Sequence, residues 1–400
     1  MIIETRFALK AGLLSTFCAF AVCCALFTAA APIFAQDSDF RLSPDGKTLS
    51  TFIGGGEEAR VPDGVETIKR AAFKRGRTFG VPELKKIVLP KSVVSFGDEA
   101  FDAAALEAIE VAEDSATFRS IDGVLYSKDG KTLFRYPSGK VGGAYYIPSC
   151  VETIAPNAFL SCSFLRAIVV PNGVKSIGES AFQSSALESL ALPASVEKIA
   201  DATVFDYAKI RSVYVDENNA NYRSIDGVLY SKDAKTLLFY PGENERTRFV
   251  VPEAVERFEA CPTKYCRNLT SLDVSEGNLS FRSDDGVLFS RDGTVLVAYP
   301  AGNQRVSYVV PDGVKKIGRF AFASAWRIES IELPEGVETI DEEAFYNCFG
   351  LKSIVVPKTV KEIAPDAFNA CSRELKIRAS DDSYAKKYAT DSKIPFESIE

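Results

Sequence analysis

An eight-residue string recurs nine times along this chain, and no other feature limits the fold so tightly. It reads V-P-D-G-V-E-T-I from Val61 and L-P-K-S-V-V-S-F from Leu89, with further copies from Ile147, Val170, Leu192, Val251, Val310, Leu333 and Val356. Where copies are contiguous the prolines set the period. Pro148 to Pro171, Pro311 to Pro334 and Pro334 to Pro357 are each 23 positions, and Pro171 to Pro193 is 22. Most copies run on into an Ala-Phe pair, as at Ala72-Phe73, Ala158-Phe159 and Ala344-Phe345. A small residue follows three positions after the Phe, and L-x-x-I-x-(V/L)-P opens the next copy.

So short a period leaves no room for a long amphipathic helix. The alternation in I-x-V suits a short strand, and proline ends it because it has no N–H for the ladder. V-x-x-I forms a second short strand after a tight turn, and the Ala-Phe segment a single helical or 3₁₀ turn. One copy alone buries too little to offset the entropy of ordering it, so copies must stack on a continuous core. The expected fold is a mainly β repeat solenoid.

A second unit interrupts the array three times. It reads D-G-V-L-Y-S-K-D-G-K-T-L-F-R-Y-P from Asp122, with close copies from Asp226 and Asp285. Two β-prone runs flank a Lys-Asp-Gly or equivalent turn, which is a hairpin signature. The shorter S-P-D-G-K-T-L from Ser43 caps the first repeat. At the other end, Ser383 to Ala389 reads as a short helix and Ile394 to Ile399 as a last strand, covering an edge that would otherwise be unpaired. The expected organisation is a signal segment at 1–35, an N-terminal β cap at 36–60, a solenoid over 61–377 and a C-terminal cap at 378–400. Hairpin inserts are expected near 118–137, 222–241 and 281–300.

The repeat, nearly whole from Leu351 through Cys371, resembles that of the BspA-like leucine-rich repeat proteins. The D-G-V-L-Y hairpins and the S-Y-A-x-x-Y-A tail at Ser383 to Ala389 are similar to that family too. The resemblance spans roughly residues 40–400. It implies a leucine-rich repeat fold, export, display at the cell surface and protein binding or adhesion. It carries no catalytic residues to transfer. The copy from Val251 departs from the pattern, with Phe258 in place of Ile and no Ala-Phe pair.

Arg6 and Lys10 precede an apolar run from Ala11 to about Phe34, and Ala35 stands before the polar Gln36 and Asp37. That order reads as a secretory signal cleaved after Ala35. The run exceeds the usual ~7–15 residues, so an uncleaved anchor is the alternative. Phe17 and Val22 stand before Cys18 and Cys23, where a lipidation signal needs a small residue. No second apolar span of membrane length follows.

Chemistry is mostly excluded. The chain has no histidine, which removes Ser-His-Asp and Cys-His catalysis and histidine-ligated zinc. A net charge of −7 without a basic run argues against nucleic acid. No Gly-rich phosphate loop, cofactor motif or metal-ligand set stands out, and the Lys-Asp-Gly turns lack the ligand alternation of a calcium loop. The acidic run Asp341 to Glu343 reads as a solvated face. No catalytic, cofactor or metal residue is assigned, and the chain is read as no enzyme.

Six cysteines follow the signal segment: Cys150, Cys162, Cys261, Cys266, Cys348 and Cys371. Cys162, Cys266, Cys348 and Cys371 share one repeat position with Ser185, Ala104 and Ala325, a small buried slot that suits a packed thiol. Disulfides between Cys348 and Cys371, or Cys261 and Cys266, are the alternatives.

A solenoid offers an extended face to a partner. Its outward row is expected to read Val88, Glu110, Val169, Ala191, Tyr214, Asp273, Glu332, Val355 and Lys376, with Tyr214 as an aromatic anchor. Tyr126, Tyr136, Tyr230 and Tyr240 of the hairpins are expected to pack over the solenoid edge. The functional expectation is an exported, non-catalytic module that binds a host, matrix or neighbouring envelope protein. A self-assembling envelope scaffold is the alternative.

Overall fold

In each repeat the pattern apolar–x–apolar, cut short by proline, folds into a strand of three or four residues, and these strands stack in parallel. The computed structural model describes residues 37–74, 83–259 and 263–399. The segment expected to be a signal, with its expected cleavage after Ala35, and Cys18, Cys23 and Cys261 lie outside the described residues. Among the described residues no helix is long and apolar enough to cross a membrane.

Two ladders run the length of a β-solenoid. The main ladder holds the strands before each proline, such as Ser330–Glu332, Ser353–Val355 and Lys376–Ala379, paired in register with Ile331, Ile354 and Ile377 facing the core. The second ladder holds two-residue strands from V-x-x-I, such as Thr339–Ile340 against Glu362–Ile363. Most Ala-Phe segments are hydrogen-bonded turns with a left-handed residue just before the Ala, for example Asn157, Ser180 and Glu343. In one copy it closes into a 3₁₀ helix, Ala202–Phe205.

The phenylalanines of these turns stack into a column. Phe322, Phe345 and Phe368 have centroids 5.2 and 4.8 Å apart, and Phe159, Phe182 and Phe205 are 5.6 and 6.2 Å apart. Rung spacing of roughly 4.8 Å makes this stacking the natural contact.

Each insert is a three-stranded antiparallel meander. The first joins Phe118–Ile121, Val124–Ser127 and Thr132–Arg135. The sequence pattern showed the last two strands; the structure adds one before Asp122. The third strand of each meander pairs in parallel with the next V-x-x-I strand, so the insert is itself a rung. Its middle strand is buried on both faces. Leu125 packs in the upstream core, while Val124 and Tyr126 pack in the downstream one. Leu229 and Leu288 likewise face upstream, with Val228, Tyr230, Val287 and Phe289 downstream. The inserts are septa that divide one solenoid core into four compartments. That explains their continuous V-L-Y runs, which only a strand covered on both sides needs.

Tyr126, Tyr136, Tyr230 and Tyr240 are accordingly core residues, all but excluded from solvent. Tyr136 continues the aromatic column, stacked 5.5 Å from Phe159, and Tyr299 does the same 5.1 Å from Phe322. At the C-terminal end helix α1, Tyr384–Asp391, is capped by the Ser383 side chain, which accepts from Lys386 N. It lays Ala385, Tyr388 and Ala389 over the last rung. Strand Phe396–Ser398 then pairs with Lys376–Ala379.

Candidate binding face

Side chains alternate along each main strand, so every Ile turned inward leaves an outward neighbour on each side. Strand register, read across the ladder, gives the outward row after each Ile. It runs Arg60, Val88, Glu110; then Tyr146, Val169; then, on the neighbouring pair of strands, Ala191, Tyr214; then Val250, Asp273; then Val309, Glu332, Val355, Arg378, Glu397. Two corrections to the sequence reading follow. Lys376 pairs with Ser353, and the residue beside Val355 is Arg378, because Leu375 lies one step closer to its Ile than the leucine of other copies. Arg60, Tyr146, Val250 and Val309 also belong to the row. Tyr146, Val250 and Val309 open compartments after an insert, where no L-x-x-I prefix marks them.

Three breaks in the row come from the inserts. At each, an Asp-Gly turn lies against the last main strand: Ile109 N donates to Gly123 O at 2.8 Å, Val213 N to Gly227 O at 2.9 Å and Leu272 N to Gly286 O at 2.9 Å. The approach leaves no room for a side chain. A Cβ on Gly123 would fall 2.9 Å from Ala108 Cβ, and φ there is 74°.

The stretch between the first two turns differs from the rest. Its four strands carry eight outward side chains: Ala144, Tyr146, Ala167, Val169, Ser189, Ala191, Ser212 and Tyr214. None is charged. Tyr146 is 73% exposed, Tyr214 58% and Val169 49%. Elsewhere each outward row carries charge, in part as ion pairs: Lys86 with Glu110 at 2.8 Å, Arg248 with Asp273 at 2.8 Å and Arg378 with Glu397 at 3.0 Å. Charge returns only at the margins of the uncharged stretch, where Lys140 meets Asp122 at 3.1 Å, Arg166 meets Glu188 at 2.7 Å and Arg246 meets Asp226 at 3.8 Å. A flat, uncharged surface ending in a tyrosine at each side is suited to non-covalent contact.

The other residues singled out in the sequence lie away from this face. Asp341 pairs with Lys316 at 2.8 Å and Glu342 with Arg319 at 3.4 Å. Among the described residues no group of His, Cys, Asp and Glu is arranged to hold a metal. Cys150, Cys162, Cys348 and Cys371 are free thiols. Cys348 and Cys371 each donate at 3.0 Å to the carbonyl of the column Phe one rung back, Phe322 and Phe345, so the slot doubles as a hydrogen-bond position. Burial pushes the Cys162 thiol up to about 12 and the Cys348 thiol well above its ordinary range.

Parallel rungs, an aromatic column and a leucine or isoleucine core define a leucine-rich repeat solenoid. The BspA-type leucine-rich repeat region matches in six copies over residues 56–128, 144–231 and 302–389, more than half of the chain, and the protein belongs to that family. Solved structures show similar chains. A leucine-rich cell surface protein from Faecalibacterium prausnitzii is 21% identical with a TM-score of 0.49, over 90% of this chain and 98% of that one. The pneumococcal vaccine antigen PcpA is 17% identical with a TM-score of 0.44, over 92% and 98%. A leucine-rich repeat protein from Eubacterium ventriosum is 16% identical with a TM-score of 0.38, over 83% and 94%. No curated protein matches the chain.

Proposed function

We propose that this chain is an exported, non-catalytic protein-binding module acting at the cell surface or outside the cell. The observation that carries the reading is the uncharged stretch of ladder face, four rungs wide, with Tyr146 and Tyr214 exposed at its ends. Exposed aromatics on a rigid sheet lose little entropy when covered and commonly anchor interfaces. Membership of the repeat family supports the absence of chemistry, and the apolar segment behind Arg6 and Lys10 supports export.

The test is a crosslinking pull-down with residues 36–400 against two lysates, the producing cell's envelope and cells or matrix from its surroundings. Tyr146→Glu/Tyr214→Glu is run in parallel. Capture of a foreign or matrix protein that the double variant loses is expected. Each anchor removed costs about 2 kcal/mol, roughly 30-fold in affinity. Capture of envelope proteins or of the bait itself, unaffected by the variant, replaces this reading with a structural scaffold.

A further inference from the structure

The copy that departs from the repeat holds a buried amine against a buried carboxyl. Asp206 and Lys264 are 58 positions apart, and each stands two residues before the small slot, filled by Ala208 and Cys266. Between their rungs lies the second septum, whose Tyr240 rung carries no Ala-Phe turn. The chain is drawn in there: a Cβ on Gly242 would sit 3.5 Å from the Tyr265 carbonyl oxygen and 4.0 Å from that of Ala208. The flanking copies therefore face each other across one narrow rung.

Lys264 Nζ lies 2.9 Å from Asp206 Oδ2, with side chains only 8% and 12% exposed. Among the described residues no other lysine–carboxylate pair is so enclosed. Aromatic rings form the enclosure. Lys264 Nζ is 5.0 Å from the Phe320 centroid and 5.6 Å from that of Tyr265, and Tyr265 lies 4.0 Å from Tyr207. The same position holds Leu160, Gln183 and Asn369 in contiguous copies, and Lys74 and Asp102 in the first two, a pair at 3.1 Å whose lysine is 54% exposed. The aromatic column is also interrupted here, with Thr263 at the Phe position.

We propose that Lys264 and Asp206 condense into an intramolecular isopeptide bond, a covalent staple across the second septum. One proton first passes along the existing hydrogen bond and turns ammonium and carboxylate into amine and carboxylic acid. Loss of water around the carboxyl favours its uncharged acid form. In agreement, burial raises the Asp206 carboxyl to about 6 against the opposing pull of Lys264, with Asp201 and Glu343 adding to the rise. The Nζ lone pair then attacks Cγ. The C–N bond forms, the C–OH bond breaks, and the hydroxyl leaves as water with a proton shed by the nitrogen. No oxidant, cofactor or other reactant is needed. Contact geometry makes the step unimolecular, where effective molarities reach about 10⁵–10⁸ M, and the aromatic shell keeps bulk water from reversing it.

The full chain is purified, denatured, digested with trypsin and weighed. Trypsin does not cut after an amidated lysine. A branched peptide is therefore expected, joining Ile199–Lys209 to residues 258–267 and about 18 Da lighter than the two together. Lys264→Arg keeps the positive charge but offers no nucleophilic amine, and its digest is expected to give the linear Ile199–Lys209 peptide at full mass. Linear Ile199–Lys209 and cleavage after Lys264 in the unmutated chain, persisting after prolonged incubation at pH 6, overturn the proposal. That arm decides the matter even where the variant does not fold.

Discussion

Phe345 shows what a single repeat position contributes. Its ring is wholly buried between Phe322 and Phe368, and its backbone N–H donates to Ala367 O at 2.8 Å. Phe345→Ala opens a cavity that neighbouring rungs, fixed by their ladders, cannot close. The expected cost is about 3–5 kcal/mol, read from urea unfolding. Thiols at the small slot obey the same burial. Cys150 is exposed and is expected to react at once with a thiol reagent. Cys162, with its thiol raised to about 12, and the buried Cys348 are expected to react only as the fold opens, at rates that climb with urea. Immediate labelling of Cys162 contradicts that assignment. Charge acts at the surface. Hydrogen bonds from Lys131 and then Lys175 hold Glu152 down at about 2. A depressed carboxylate stabilises the fold above its unfolded pKa, near 4.5, and that stabilisation is lost as pH falls toward 2. Glu152→Gln is thus expected to flatten the acid limb of a melting-temperature profile between those values, while leaving its shape near neutrality unchanged.

At the scale of the element, glycines divide into two kinds that stability can separate. Gly336, with φ 103°, has open space around the position a Cβ would take, with nothing within 4 Å, and serves only the turn. Gly123 also lets its turn lie on Ala108, whose Cα would be 3.1 Å from the added carbon. Both Ala replacements carry the strain of a left-handed backbone, about 1–3 kcal/mol. Gly123→Ala is expected to cost more, because it must also push the septum off the main ladder. Equal losses in denaturant titrations count against that close approach. These elements also show where sequence was readable. Proline spacing, the Ala-Phe pairs and D-G-V-L-Y marked the rungs and hairpins because each is a local pattern tied to one backbone shape. Tyr146, Val250 and Val309 were missed because the strand after a septum has no L-x-x-I prefix; its register is held by the next main strand, where Tyr146 pairs with Val169, Val250 with Asp273 and Val309 with Glu332. Lys376 was placed for Arg378 because counting from Leu375 ignores the ladder, where Ile377 pairs with Ile354. The contact of Asp206 with Lys264 was out of reach altogether, since it crosses an intervening rung and matches no motif.

The septa bear most on the molecule as a whole. A plain solenoid transmits stability from neighbour to neighbour, and damage at one end spreads by loss of successive interfaces. Here three strands with both faces buried divide the core, so each compartment has a wall of its own. The last compartment is closed on one side by Val287 and Phe289 and on the other by helix α1, whose Tyr388 lies 5.9 Å from Phe368. Deleting residues 384–400 removes that outer cover and the strand paired to Lys376–Ala379. Phe368, Ile377 and Ala379 then face water. Fraying is expected to enter from this end and to stop at the septum over 281–298, because its upstream face still packs Leu288 against the preceding core. Hydrogen exchange read by mass spectrometry measures this directly. Faster uptake across 302–379 with unchanged protection over 144–225 is the expected pattern. Uniform loss of protection along the chain would mean that the septa do not uncouple the compartments, and that the solenoid folds as one cooperative body despite its divided core.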